Sequence, residues 1–377
     1  MRPVWIVAAE TVTALGDTLE ASWRRLLAGE SGIRPVRRFA TDGYICRHAA
    51  EIDGLAAQDE ASGVRPLLDR LLHDFGPVPA DAAALTATTK WGIDALERQR
   101  RGATAHEEDL LAGGLPQAIG RRFGLSTPGL NINAACASST IALARGAAMI
   151  AHGQSETVLV CCVDLVSEFV FSGFSALKGL SAEPCRPFDR RRSGLTLGEG
   201  AAALLLMAPE RARREGRAPL GAILGWGVAG DAHHITAPAR DGCGLIQAVR
   251  GALRQADLPP AAVAAINAHG TGTIYNDAME LTAFQQIFGR TLPIHSVKGA
   301  LGHTLGAAGG IETALALKSL QETILPPTTG FAEAEENAAG WVSAEAVPLP
   351  GEFLLTTNSG FGGINAALLL TMAGGEG

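Results

Sequence analysis

Two stretches of this chain, residues 138–151 and 307–318, consist almost wholly of small and apolar residues. A surface helix carries one apolar stripe and leaves the rest of its circumference polar; these two are apolar around too much of it to face water. Both must be enclosed on every side, which calls for layers above and below them. Short β-rich runs at 4–8, 130–134, 157–163, 201–207, 220–227, 263–268, 294–297, 353–357 and 366–371 are candidates for those layers. Helical stretches alternate with them, so the chain reads as α/β. One enclosed helix falls on each side of a charged, proline-containing segment, 209–219, the best candidate boundary between two halves, 1–208 and 209–377.

Composition narrows the partners. Of 377 residues, 47% are hydrophobic and only 18% charged, against an ordinary ~25%, so much of the chain is buried. The net charge of -7 leaves no electrostatic footprint for wrapping nucleic acid. The apolar run 4–9 is too short for a signal-peptide core and is cut off by Glu10, and longer apolar runs fall short of the ~18 residues of a membrane span. The expectation is a cytoplasmic protein without a membrane span. Six cysteines show no CxxC pair, so a disulfide framework is not expected.

Four constellations could carry chemistry. Cys136 stands where the strand-like LNINA runs into the first enclosed helix, flanked by Ala135, Ala137 and Ser138. Free N–H groups at a helix start favour a thiolate, and small neighbours leave the sulfur approachable. His269 lies in NAHGTGT at the end of an apolar run, with hydroxyls at Thr271 and Thr273 alternating with glycine. Lys298 and His303, five apart, precede the second enclosed helix in KGALGHTLGAAGGIE, and Phe361 is the one aromatic of the turn NSGFGGIN. Glycine, at 46 residues, exceeds the usual ~7%, so backbones approach something closely at several places. Two features are set aside. The segment 225–230 matches GxGxxG but opens no helix, which argues against a dinucleotide site, and His233 and His234 lack the further ligands of a metal site. No metal is predicted.

Taken together, Cys136 in ACASS, His269 in NAHGTGT, and Lys298 with His303 in KGALGHTLGAAGGIE resemble the β-ketoacyl-acyl carrier protein synthases of the elongating, Cys-His-His kind. The run CRPFDRRRSGLTLGEG from Cys185 and the GFGG turn extend the resemblance over most of the chain. It implies a thiolase-like fold of five α-β-α-β-α layers from two similar halves, with the two enclosed helices as the middle layer. It further implies Cys136 as the acyl-accepting nucleophile, with His269 and His303 assisting decarboxylation of a malonyl extender and stabilising the enolate. Lys298 would orient and tune His303, while Glu312 and Asp277 would be supporting acids. The N–H groups of Cys136 and Phe361 would form the oxyanion hole, Phe361 would gate the pocket, and Thr271 and Thr273 would hold a phosphopantetheine arm.

The same resemblance implies no cofactor beyond the phosphopantetheine of acyl carrier protein. It also implies a second ketosynthase-like subunit, as homodimer or heterodimer. An acidic carrier calls for local basic surface, and Arg190, Arg191 and Arg192 are the candidates. Ser359 stands two before Phe361, where the family commonly has an aromatic residue, which bears on the shape of the gate. The stretch 87–97 and the EPCRPFD segment resemble condensing enzymes of aryl-polyene and polyketide-like pathways more than those of housekeeping fatty-acid synthesis. Thiolases place a second cysteine where this chain has histidine, and initiating synthases have no counterpart of the Lys298–His303 pair. A catalytically silent, chain-length-factor-like partner subunit and a malonyl-carrier decarboxylase are the rival readings. Both usually lack the cysteine.

Overall fold

A computed structural model describes residues 3–55 and 61–373. Ten strands form one continuous sheet whose two five-stranded parts repeat the same plan. In the first part the order is Leu130–Ile132, Ala83–Ala87, Thr157–Asp164, Gly200–Met207, Val4–Thr13; in the second it is Ile294–His295, Val263–Asn267, Phe353–Gly360, Ile364–Thr371, Gly221–Gly230. Each part pairs its first three strands in parallel and the remaining two antiparallel. The parts meet where Val4 and Ile6 face Ile223 and Gly221 in a short antiparallel contact.

Alternation along the strands sorts side chains between layers, because successive residues point to opposite faces. Val160, Cys162, Leu204 and Leu206 point to the centre, whereas Leu159, Cys161, Leu205 and Met207 point outward to helices Val64–Leu71 and Gly114–Phe123. In the second part Leu354, Leu368 and Leu370 point inward, and Leu355 and Leu369 meet helices Cys243–Ala256 and Ile274–Phe288. The central layer is the pair of inner helices, Ser138–Ala151 and Ala308–Glu322. They touch directly, the Gly310 N–H donating to Ser139 Oγ at 2.9 Å. The result is the five-layered α/β arrangement that the resemblance implies, with the two helices that cannot face water as its middle layer. The charged segment after Met207 begins as the short helix Pro209–Arg214.

Candidate active site

A cavity of about 340 Å³ is lined by Cys136, Thr271, Thr273, His269, His303 and Phe361, gathered from both five-stranded parts. Ser359 and the apolar side chains of Phe174 and Leu195 also face it. Every group expected to touch substrate thus borders one space.

Cys136 sits in a tight turn between strand Leu130–Ile132 and the first inner helix. Ala135 takes a left-handed φ of 49°, and Ser138 Oγ closes the turn by accepting from Ala134 N–H and donating to the Ala135 carbonyl. The expectation that a helix start favours the thiolate is corrected here. Burial pushes the Cys136 thiol up to about 11, outweighing the opposing pull of Lys298, Lys90 and a hydrogen bond from the Phe361 N–H. The thiol is the resting form.

His269 is held by two buried carboxylates from the first turns of helix Ile274–Phe288. Its own N–H and that of Gly270 donate to Glu280 at 2.8 and 2.7 Å, while the N–H groups of Thr271 and Gly272 donate to Asp277. The carboxylates stand three apart and face the same way, so a helix face acts as the clamp for the loop. Burial, then the charge of Asp277, pushes Glu280 up to about 8. Thr271 and Thr273 join hydroxyls at 2.9 Å beside the cavity.

His303 is pinned through its main chain to Thr196 and Gly198, and its Nδ1 accepts the Leu305 N–H at 3.3 Å. That leaves Nε2 to carry the proton in the neutral ring. The ring centroids of His269 and His303 lie 5.2 Å apart, edge to face. Burial first, then the Lys298 charge, drives both imidazoles well below their ordinary pKa, so both are neutral. Lys298 is tied to Glu312 in a buried ion pair and has no hydrogen bond to His303, so it acts on that ring through its field.

Among the three arginines, Arg192 is corrected outright. Its side chain is 2% exposed, pairs with Glu335 and donates to the Thr273 and Ile274 carbonyls, bracing the threonine loop from beneath. Arg190 pairs with Glu333 and Arg191 lies near Asp189, both more than half exposed. Three residues with clear parts were missed. Glu280 could have been found from its place three after Asp277. Asp164 accepts from Thr88, Thr89 and Gly306, tying the Lys90 loop to the chain just past His303. Asn358 touches both Glu312 and His269.

Models of the beta-ketoacyl synthase N-terminal and C-terminal domains match residues 80–212 and 220–332. A 3-oxoacyl-[acyl-carrier-protein] synthase 2 from Coxiella burnetii is 29% identical over 414 residues, covering 98% of each chain. One from Rhizobium meliloti is 30% identical over 420 residues, covering 98% of this chain and 99% of the relative. Among solved structures, the ishigamide ketosynthase/chain length factor superposes with a TM-score of 0.89 at 28% identity, covering 99% of this chain and 100% of the other. A ketosynthase in complex with its chain length factor from Xenorhabdus doucetiae gives 0.82 at 28% identity, covering 99% and 98%.

Proposed function

The chain belongs to the β-ketoacyl synthase family, and we propose that its cavity joins an acyl chain held on Cys136 to a malonyl unit presented on acyl carrier protein. The enzyme is a condensing acyltransferase. In the first half-reaction Cys136 Sγ attacks the acyl thioester carbon; the carrier's thiol leaves with the proton that sulfur gives up. In the second, the bond between the malonyl carboxylate and its α-carbon breaks, CO2 departs, and the electron pair becomes an enolate. Its oxygen meets N–H donors from His269 and His303. The α-carbon then attacks the acyl carbon, and Cys136 leaves as thiolate and regains a proton. The product is a 3-oxoacyl chain, two carbons longer, on the carrier.

The observation that carries this reading is the convergence of one buried thiol and two buried, neutral imidazoles on one cavity. A neutral N–H donor placed where negative charge develops needs no extreme base. The N–H groups of Cys136 and Phe361 serve the acyl oxygen, Thr271 and Thr273 hold the phosphopantetheine arm, and Lys298, Glu312 and Asp277 support the two histidines. Arg190 and Arg191 remain the carrier contacts of this reading, which needs no further cofactor. The repeated strand order supports dividing the chain near residue 208. The reading includes cytoplasmic action, in a fatty-acid, aryl-polyene or polyketide-like pathway, as a pair with an identical or a chain-length-factor-like subunit.

Incubation with a panel of acyl carriers and malonyl carrier, followed by intact-mass analysis, tests it. Wild type gains the acyl mass and releases 3-oxoacyl carrier; Cys136→Ala gains none. A wild-type chain that takes an acyl group from no carrier would favour a silent partner subunit instead.

A further inference from the structure

We propose that Asn358, near the end of strand Phe353–Gly360, is a positioning residue that fixes the proton of His269 on Nε2 and couples that ring to the Lys298–Glu312 ion pair. This rests on the reading of the cavity as a decarboxylating condensation site. The side chain is fully buried, and both its amide nitrogen and its carbonyl oxygen meet partners. Nδ2 donates to Glu312 Oε2 at 2.7 Å and lies 3.3 Å from His269 Nδ1, and Oδ1 accepts from the Thr140 hydroxyl. An ionised carboxylate only accepts, so the amide NH2 must face Glu312, and its second hydrogen is directed at His269 Nδ1. A ring nitrogen that accepts carries no proton. The proton of neutral His269 is therefore on Nε2.

The two histidines reach the same tautomer by different means. His303 uses the main-chain N–H of Leu305, whereas His269 depends on one amide held by two other segments. The second inner helix makes room for that device, since a Cβ at Gly309 would fall 1.9 Å from Thr140 Oγ1 and 2.8 Å from Asn358 Oδ1. Lys298, Glu312, Asn358 and His269 thus form one chain of contacts, with Thr140 as the pin that prevents the amide from turning over.

Substitution separates this role from mere packing. Asn358→Asp keeps the volume but presents an acceptor to Nδ1, drawing the ring proton there and stripping Nε2 of its hydrogen. Asn358→Ala leaves the ring free to turn. Removing one donor from an oxyanion site costs roughly 10²–10³-fold in rate. The expected result is decarboxylation of malonyl carrier slowed about 10²-fold in Asn358→Asp and less in Asn358→Ala, with acylation of Cys136 from acyl carrier reduced far less in both. A packing role gives the opposite order, because alanine empties the site and aspartate does not, and it slows both half-reactions alike. Thr140→Val, of similar shape, unpins Oδ1 and slows decarboxylation partway; it decides the matter where a position-358 variant does not fold, as judged by thermal melting. A wild-type enzyme inert in both half-reactions overturns the functional reading itself. An active wild type with decarboxylation undiminished in Asn358→Asp, or in Thr140→Val where that variant decides, overturns this proposal alone.

Discussion

His295 is 2% exposed on the edge strand Ile294–His295, and neither ring nitrogen meets a hydrogen-bond partner among the described residues. Burial pushes its pKa down to about 3. The folded chain therefore refuses a proton that the unfolded chain accepts below about 6.5. The stability this represents is complete above that value and is lost as the pH falls from there toward 3. Between pH 7 and pH 5 the loss amounts to about 2 kcal/mol. In His295→Leu the drop in unfolding free energy between those two pH values, measured with urea, shrinks by about that amount; equal drops in both chains would count against it. At this scale the sequence was most readable where a reactive side chain stands among small residues or glycines, as Cys136, His269 and His303 do. It was unreadable for Asn358, whose partners Glu312 and His269 lie 46 and 89 positions away and become neighbours only once the strands are ordered. The Cys136 thiolate was misjudged because a local helix start is visible in sequence, whereas the burial that outweighs it is not.

The glycines of the strand Gly221–Gly230 show what a phosphate-like pattern does when no ligand is involved. A Cβ on Gly225 would fall 2.1 Å from the Ala252 carbonyl, and one on Gly227 would fall 1.9 Å from that of Ala248. Helix Cys243–Ala256 lies directly on the strand, and the missing side chains are what let it. Overpacking of this kind costs about 3 kcal/mol. Gly227→Ala should lose about that much stability in urea, whereas Gly230→Ala, whose Cβ would meet only the Gly363 carbonyl at 3.9 Å, stays within about 0.5 kcal/mol. Equal effects would show that close packing is not the reason for the motif. The inner helices were legible as elements because their composition excludes a surface position. The fate of Arg192 was not, since a run of three arginines reads as solvated charge until the threonine loop is folded over the last of them.

The two five-stranded parts are joined within the sheet by one short contact, and each supplies lining residues to the same cavity, so the cavity exists only when both have formed and docked. One outer edge of the sheet is the short strand Leu130–Ile132, with Leu130 59% exposed. An exposed apolar edge invites a second chain. On the paired-subunit reading, light scattering finds the protein as a pair, and Leu130→Lys shifts it toward single chains; an unchanged mass would place the contact elsewhere. That layers enclose the two helices was legible in the sequence, but the edge that stays open could not be known until the order of strands was. The central layer has a consequence for biosynthesis. Translation delivers the Ser138–Ala151 helix long before Ala308–Glu322 leaves the ribosome, so the nascent chain carries a bare apolar flank throughout that interval. Truncated or stalled products end in that state and would call on holdase chaperones, whereas the finished polypeptide covers the flank with its own later half.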